Sequence, residues 1–91
     1  MIKVSKQVAD EEGWIFHVEV AEGAGKTEHT VSLPRPYYEK LTKGNKLPPD
    51  TLVERSFEFL LSKEPKESIL ASFTLSDIAT YFRDYENEII S

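Results

Sequence analysis

The first third of the chain alternates between apolar and polar positions. Ile2, Val4 and Val8 are separated by Lys3, Ser5 and Gln7, and Trp14, Phe16, Val18 and Val20 alternate with Ile15, His17, Glu19 and Ala21. A period of two puts each set on its own face of an extended chain, so both runs predict half-buried strands. Asp10-Glu11-Glu12-Gly13 between them is a polar turn, and Gly23-Ala24-Gly25 supplies residues that accept positive φ in a tight connection. The run Thr27 to Leu33 is β-branched and alternates as well. These three runs predict a three-stranded antiparallel β-meander over residues 1–33, one face packed and the other wet.

Beyond Pro34 the period changes. Pro34 and Pro36 end the third strand, and Tyr37 to Lys43 has room for about two helical turns, with Gly44 as the expected C-terminal cap. Asn45-Lys46-Leu47-Pro48-Pro49 cannot continue a helix. Asp50 or Thr51 is expected to cap the clearest helix, in which Val53, Phe57, Leu60 and Leu61 fall at helical spacing. Leu52 and Phe59 broaden its apolar surface beyond one stripe, and Pro65 interrupts it. Pro65-Lys66-Glu67-Ser68 opens a further predicted helix carrying Ile69, Leu70 and Phe73. Thr74-Leu75-Ser76-Asp77 has capping-box spacing and starts a last one, with Ile78, Tyr81, Phe82 and Tyr85 on its apolar side. The fold class expected is α+β: the meander, then three or four short helices packed on one face over residues 34–91.

Composition narrows the classes of function. At 91 residues there is room for a single domain over 1–91, with a thin core and little stability to spare for a deep catalytic cavity. The absence of cysteine excludes disulfides and thiolate metal sites. Charged residues at the start and the lack of any long apolar run leave no signal peptide or membrane span, which predicts a cytoplasmic protein. Eleven Lys and Arg face sixteen Asp and Glu, a net charge of −5. Residues 1–45 carry six basic and seven acidic groups, and residues 46–91 carry five and nine, so the second half is the poorer face for nucleic acid.

Few residues carry chemistry. His17 and His29 lie on neighbouring predicted strands and, with Glu19, have the ligand types for zinc; two scattered histidines are more simply sheet-surface residues. No Gly-x-Ser-x-Gly elbow and no Gly-rich phosphate loop is present, and Glu11-Glu12 sits in a turn where water leaves nothing to raise a carboxyl pKa. The expectation is a protein that is not an enzyme and uses no cofactor and no metal. Arg35, Lys40, Lys43 and Lys46 face a single acid, Glu39, and are interleaved with Tyr37 and Tyr38. Cations beside rings suit an anionic partner, whereas the simpler reading is a solvated helix whose tyrosines lean on the sheet. Leu75-Ser76-Asp77-Ile78-Ala79 is similar to the opening of a helix-turn-helix unit. After Phe82, however, only Arg83 is basic among Asp84, Glu86 and Glu88, which suits a structural helical hairpin better.

Two families supply resemblances. His29 to Pro34, then Tyr37 to Leu41, then Thr51 to Leu61, resembles the strand-helix-helix order of ribbon-helix-helix repressors and antitoxins. That resemblance implies a dimer whose paired strands enter the major groove, Thr30 and Ser32 pointing at bases. Ser56-Phe57-Glu58-Phe59-Leu60-Leu61, then Glu64 to Leu70, then Phe73, Leu75, Ile78 and Tyr81-Phe82, resembles a group of short uncharacterised bacterial proteins. They often carry proline where this chain has Arg83, and the resemblance implies a free-standing bacterial protein with no assigned activity. The reading that follows is a small binding or accessory protein whose partner is another protein or a second copy of itself; a ribbon-helix-helix regulator is the alternative. In a simple meander the Thr27–Leu33 strand is an open edge with only Glu28 as guard. Thr30, Ser32, Arg35, Tyr37, Tyr38, Lys40, Lys43 and Lys46 therefore make up the expected partner surface.

Overall fold

The computed structural model describes residues 1–43 and 47–90. β1 (Ile2–Asp10), β2 (Gly13–Ala21) and β3 (Lys26–Pro34) form the antiparallel meander that the alternation predicts. The first turn is closed by Asp10, whose Oδ1 accepts the backbone N–H groups of Glu12 and Gly13 at 2.9 and 3.2 Å. Gly13 has φ 145°, and a Cβ there would lie 2.2 Å from the Leu33 carbonyl oxygen, so no other residue closes this hairpin without moving β3.

The sheet departs from the expectation of three antiparallel strands. A fourth strand, β4 (Ser72–Thr74), adds to β3 in parallel, pairing Thr30 with Ser72, Val31 with Phe73 and Ser32 with Thr74. The sheet is mixed, in the order β1-β2-β3-β4. A parallel neighbour needs a long crossover, and the helices between β3 and β4 supply it. The predicted helix from Pro65 to Phe73 is thus a single 3₁₀ turn at Lys66–Ser68 followed by strand. Leu70, Ala71 and Ser72 are exposed, and Phe73 and Leu75 are buried on either side of the half-buried Thr74, the alternation of a strand.

α1 (Arg35–Thr42) and α2 (Pro49–Lys63) lie where helices are expected. α2 begins at Pro49, one position ahead of the residues expected to cap it; Pro48 is its N-cap and Asp50 falls in its acidic first turn. Lys43, with φ 47°, caps α1; Gly44, the cap expected from sequence, lies outside the described residues. The expected last helix is two pieces, α3 (Asp77–Tyr81) and α4 (Tyr85–Ile89), parted at Phe82, where the chain is extended. Of the Thr74–Asp77 capping box one arm forms: the Thr74 N–H donates to Asp77 Oδ2 at 3.1 Å.

One hydrophobic cluster joins both halves. Phe16, Val18, Val20, Val31 and Leu33 of the sheet pack with Leu52, Val53, Phe57, Phe59 and Leu60 of α2 and with Ile78, Tyr85 and Ile89 beyond it. The breadth of α2's apolar surface beyond one stripe is absorbed here: Phe59 meets Phe82 and Tyr85 edge-on at ring separations of 5.8 and 5.3 Å. Leu61 is half-buried rather than core. Val8, expected with Ile2 and Val4 on the packed face, pairs with Ile15 on the opposite one, because a bulge between Lys6 and Val8 shifts the register by a residue.

Candidate functional site: a cleft between the second helix, the fourth strand and the third helix

Of the residues expected to form a partner surface, the structure brings Lys40 and Tyr37 together, the ammonium 5.8 Å from the ring centroid, and places Thr30 and Ser32 on the outer face of the sheet. Thr30 and Ser32 point away from the helices, and their backbones are occupied: the Thr30 N–H donates to the Ala71 carbonyl and the Ser32 carbonyl accepts from Leu75 N–H, at 2.8 and 2.9 Å. The centre of β3 is therefore not an open edge, and a ribbon-helix-helix strand pair has no place to form, since β2 and β4 flank it. Arg35 is held within the fold. Its guanidinium donates to the Asp10 and Glu11 carbonyls at 2.8 and 3.1 Å and lies 4.4 Å above the Trp14 ring.

Tyr37 and Tyr38 lean on the core, but their hydroxyls find protein partners rather than water alone. Tyr37 Oη donates to Glu86 Oε2 at 2.7 Å, and Tyr38 Oη donates to the Leu47 carbonyl. Burial, then the bond to Glu86, raises the Tyr37 phenol pKa above its ordinary value. Lys40 approaches the same Glu86 carboxylate at 3.8 Å. Lys43 is exposed at the end of α1, and Lys46 lies outside the described residues. The basic segment is thus partly neutralised by its own chain.

The two histidines diverge. Register places Thr30 opposite His17 and His29 opposite Val18, so the rings stand on opposite faces of the sheet. His17 Nε2 meets Glu28 Oε1 at 2.9 Å on the outer face. His29, expected at the sheet surface, is only 2% exposed and sits on the inner face, its ring 5.3 Å from that of Phe57. Its Nδ1 lies 2.7 Å from the Leu70 carbonyl and its Nε2 2.8 Å from Thr27 Oγ1. A carbonyl only accepts, so Nδ1 carries the proton and donates, and in the neutral ring Nε2 accepts from the threonine hydroxyl. Among the described residues no group of three or more metal-ligand side chains converges.

The structure instead builds a cleft of about 400 Å³ where the C-terminal end of α2, the Ser68–Phe73 segment and α3 meet. Its floor is core: Leu60, Ile69, Phe73 and Ile78. Its rim is not, for Leu70 is 53% exposed and Tyr81 70% exposed. The other large apolar side chains exposed among the described residues are Met1, Ile90 and Val8, none of which lines this cleft. Two acids, Glu64 and Asp77, line it, and among the described residues no Lys, Arg or His does. The His29 bond to Leu70 fixes the backbone of one wall, and the Thr74 N–H bond to Asp77 fixes one of the acids.

Sequence reasoning placed Leu70 and Tyr81 on buried helix faces and so missed this cleft. The available signal was the run Ile69 to Leu75, where alternation assigns Leu70 to the side away from Phe73. β4 also excludes a helix-turn-helix unit, because the element preceding α3 is a strand. Among the described residues no helix is long and apolar enough to cross a membrane. No protein-family model matches the chain, and neither a curated protein nor a solved structure matches it.

Proposed function

We propose that this chain is a small non-catalytic binding protein that acts by contact with another protein, and that the cleft bounded by Leu70 and Tyr81 is the contact site. The observation that carries the reading is the exposure of two large apolar side chains, Leu70 and Tyr81, that line a recess whose floor is core and which opens to solvent. Exposed apolar side chains scattered singly need no explanation, but a pair flanking a recess is what anchors in a partner fill. The polar groups of the cleft support binding rather than turnover: Asp77 is engaged by Thr74, and among the described residues that line the cleft no histidine or cysteine accompanies Ser68 to activate it.

The test is site-specific photo-cross-linking in the cells that make the protein. A benzophenone side chain at position 81 is expected to give a discrete protein adduct, and the same group at Thr30, on the outer sheet face, is not. No adduct from position 81, or the same adducts from both positions, overturns the reading.

A further inference from the structure

We infer that the occupant of the cleft is a basic amphipathic helix of the partner protein, apolar on one side and flanked by Lys or Arg; the inference rests on the cleft being the contact site. The mode of binding follows from what the neighbouring backbone can offer. An extended peptide recognised by strand addition needs a free sheet edge. β4 is the edge strand beside the cleft, but it is three residues long and its Thr74 N–H is already given to Asp77 Oδ2. A partner must therefore engage through side chains, and side chains that fill a short recess together come from one helix face at spacings of three and four.

The charge of the partner follows from the rim. Glu64 stands at the α2 end of the cleft and Asp77 at the start of α3, with apolar floor between them and, among the described residues, no cation lining the recess. The chain as a whole is net −5, so the long-range field agrees with the local one. An acidic helix would meet uncompensated repulsion at both ends, whereas a basic one places a cation against each carboxylate while its apolar side covers Leu70 and Tyr81. His29 contributes from beneath: by holding the Leu70 carbonyl it sets one wall before the partner arrives, which reduces the ordering cost of binding.

The experiment uses the whole chain, isotope-labelled, titrated with three synthetic helical peptides of identical apolar positions whose flanking residues are all Lys, all Gln or all Glu. The Lys peptide is expected to bind most tightly, by about tenfold or more over the Glu peptide, with amide shifts centred on Leu70, Asp77 and Tyr81. Tyr81→Ala should weaken it by about tenfold, and Glu64→Gln by about two- to fivefold, an effect absent with the Gln peptide. Unchanged spectra elsewhere verify that both variants fold. Equal affinity for the Lys and Glu peptides within the cleft overturns the charge assignment and leaves the contact site standing. Lys-peptide shifts on the outer sheet face instead, or no shift with any peptide while position 81 still cross-links a protein, overturns the basic helix. Failure of the cross-link itself removes the contact site on which the inference rests.

Discussion

Ser56 and Tyr85 form a buried polar pair whose two halves are unequal, and the inequality is measurable. Ser56 Oγ donates to the Leu52 carbonyl at 2.7 Å, which uses its single proton, so the 2.6 Å contact with Tyr85 Oη has the tyrosine as donor. Both residues are fully buried. Tyr85→Phe removes a donor and leaves Ser56 its own bond, a loss of about 0.5–1.5 kcal/mol. Ser56→Ala strips the acceptor from a phenol that no solvent reaches, a loss of about 1–3 kcal/mol. The double variant has no orphaned group and should lose less than the sum, with a coupling of about 1 kcal/mol. At about 4–8 °C per kcal/mol for a domain of this size, a 2 kcal/mol loss in Ser56→Ala lowers the melting temperature by about 8–16 °C.

The same pair has a pH signature. Burial holds the Tyr85 phenol pKa above its ordinary value. The folded pKa therefore exceeds the unfolded one. The stabilisation is fully present below about pH 10 and is lost as pH rises from there towards the folded value, by up to about 1.4 kcal/mol per pH unit. Denaturant titrations of the four proteins of the cycle at neutral pH and above pH 10 test both points, and Tyr85→Phe should reduce the alkaline slope to the part that the similarly raised Tyr37 phenol contributes. Additive losses, or a phenylalanine variant costlier than the alanine one, would refute the hydrogen-bond direction and the burial argument together.

Three further outcomes follow from the packing. Phe57→Ala should cost about 3–5 kcal/mol, since the ring is fully buried between His29 and Phe73, and a melting temperature within about a degree of the parent would contradict that placement. Gly13→Ala should destabilise far more than Gly23→Ala, because a Cβ at Gly13 meets the Leu33 carbonyl while one at Gly23 meets open space; similar denaturation midpoints would argue against the hairpin geometry. Random duplex DNA should bind more weakly than about micromolar at about 150 mM salt, because Arg35 is committed to the first turn and the second half of the chain is acidic; a submicromolar affinity in a filter-binding assay would reverse that reading.

The meander was legible because its side chains alternate cleanly, and β2 and β3 carry inward and outward sets that only one register satisfies. α2 was legible for the matching reason at a period of 3.6. Two features were not. The bulge between Lys6 and Val8 is a backbone event, and Val8 looks apolar on either face. β4 is three residues long and its partner is distant in sequence, so its local alternation is too short to outweigh a helical reading until it pairs with Thr30–Ser32. Missing β4 had consequences for the site. It made β3 look like an open edge, it made Leu70 look like core, and it hid the cleft that Tyr81 lines. Arg35 was misjudged for a similar reason: its cation looked available until the fold set Trp14 and the Asp10–Glu11 carbonyls beside it.

How the sheet ends bears on how the protein can meet a partner. An open sheet has two edges, and an unguarded edge pairs with whatever strand it encounters. At one end β1 carries Lys3 and Lys6 and a bulge, each of which disfavours a new neighbour. At the other, β4 occupies the centre of β3, and the Asp77 carboxylate takes the Thr74 N–H that would otherwise face outward. Backbone recognition is thus discouraged at both ends by residues whose chemistry suits that purpose. Side-chain recognition is what remains, and it is favoured at the cleft of Leu70 and Tyr81, where the floor is hydrophobic core and the rim is left uncovered. Asp77 belongs to both devices, as guard of the edge and as an acid of the cleft, so Asp77→Asn should separate them: the amide oxygen still accepts from Thr74, while the charge facing a basic partner is gone. The variant should melt within about 1 kcal/mol of the parent and bind the Lys peptide about two- to fivefold more weakly. Retained affinity would place the partner's cations elsewhere on the rim, and a marked loss of stability would mean that the charge, rather than the hydrogen bond alone, holds α3 against the sheet.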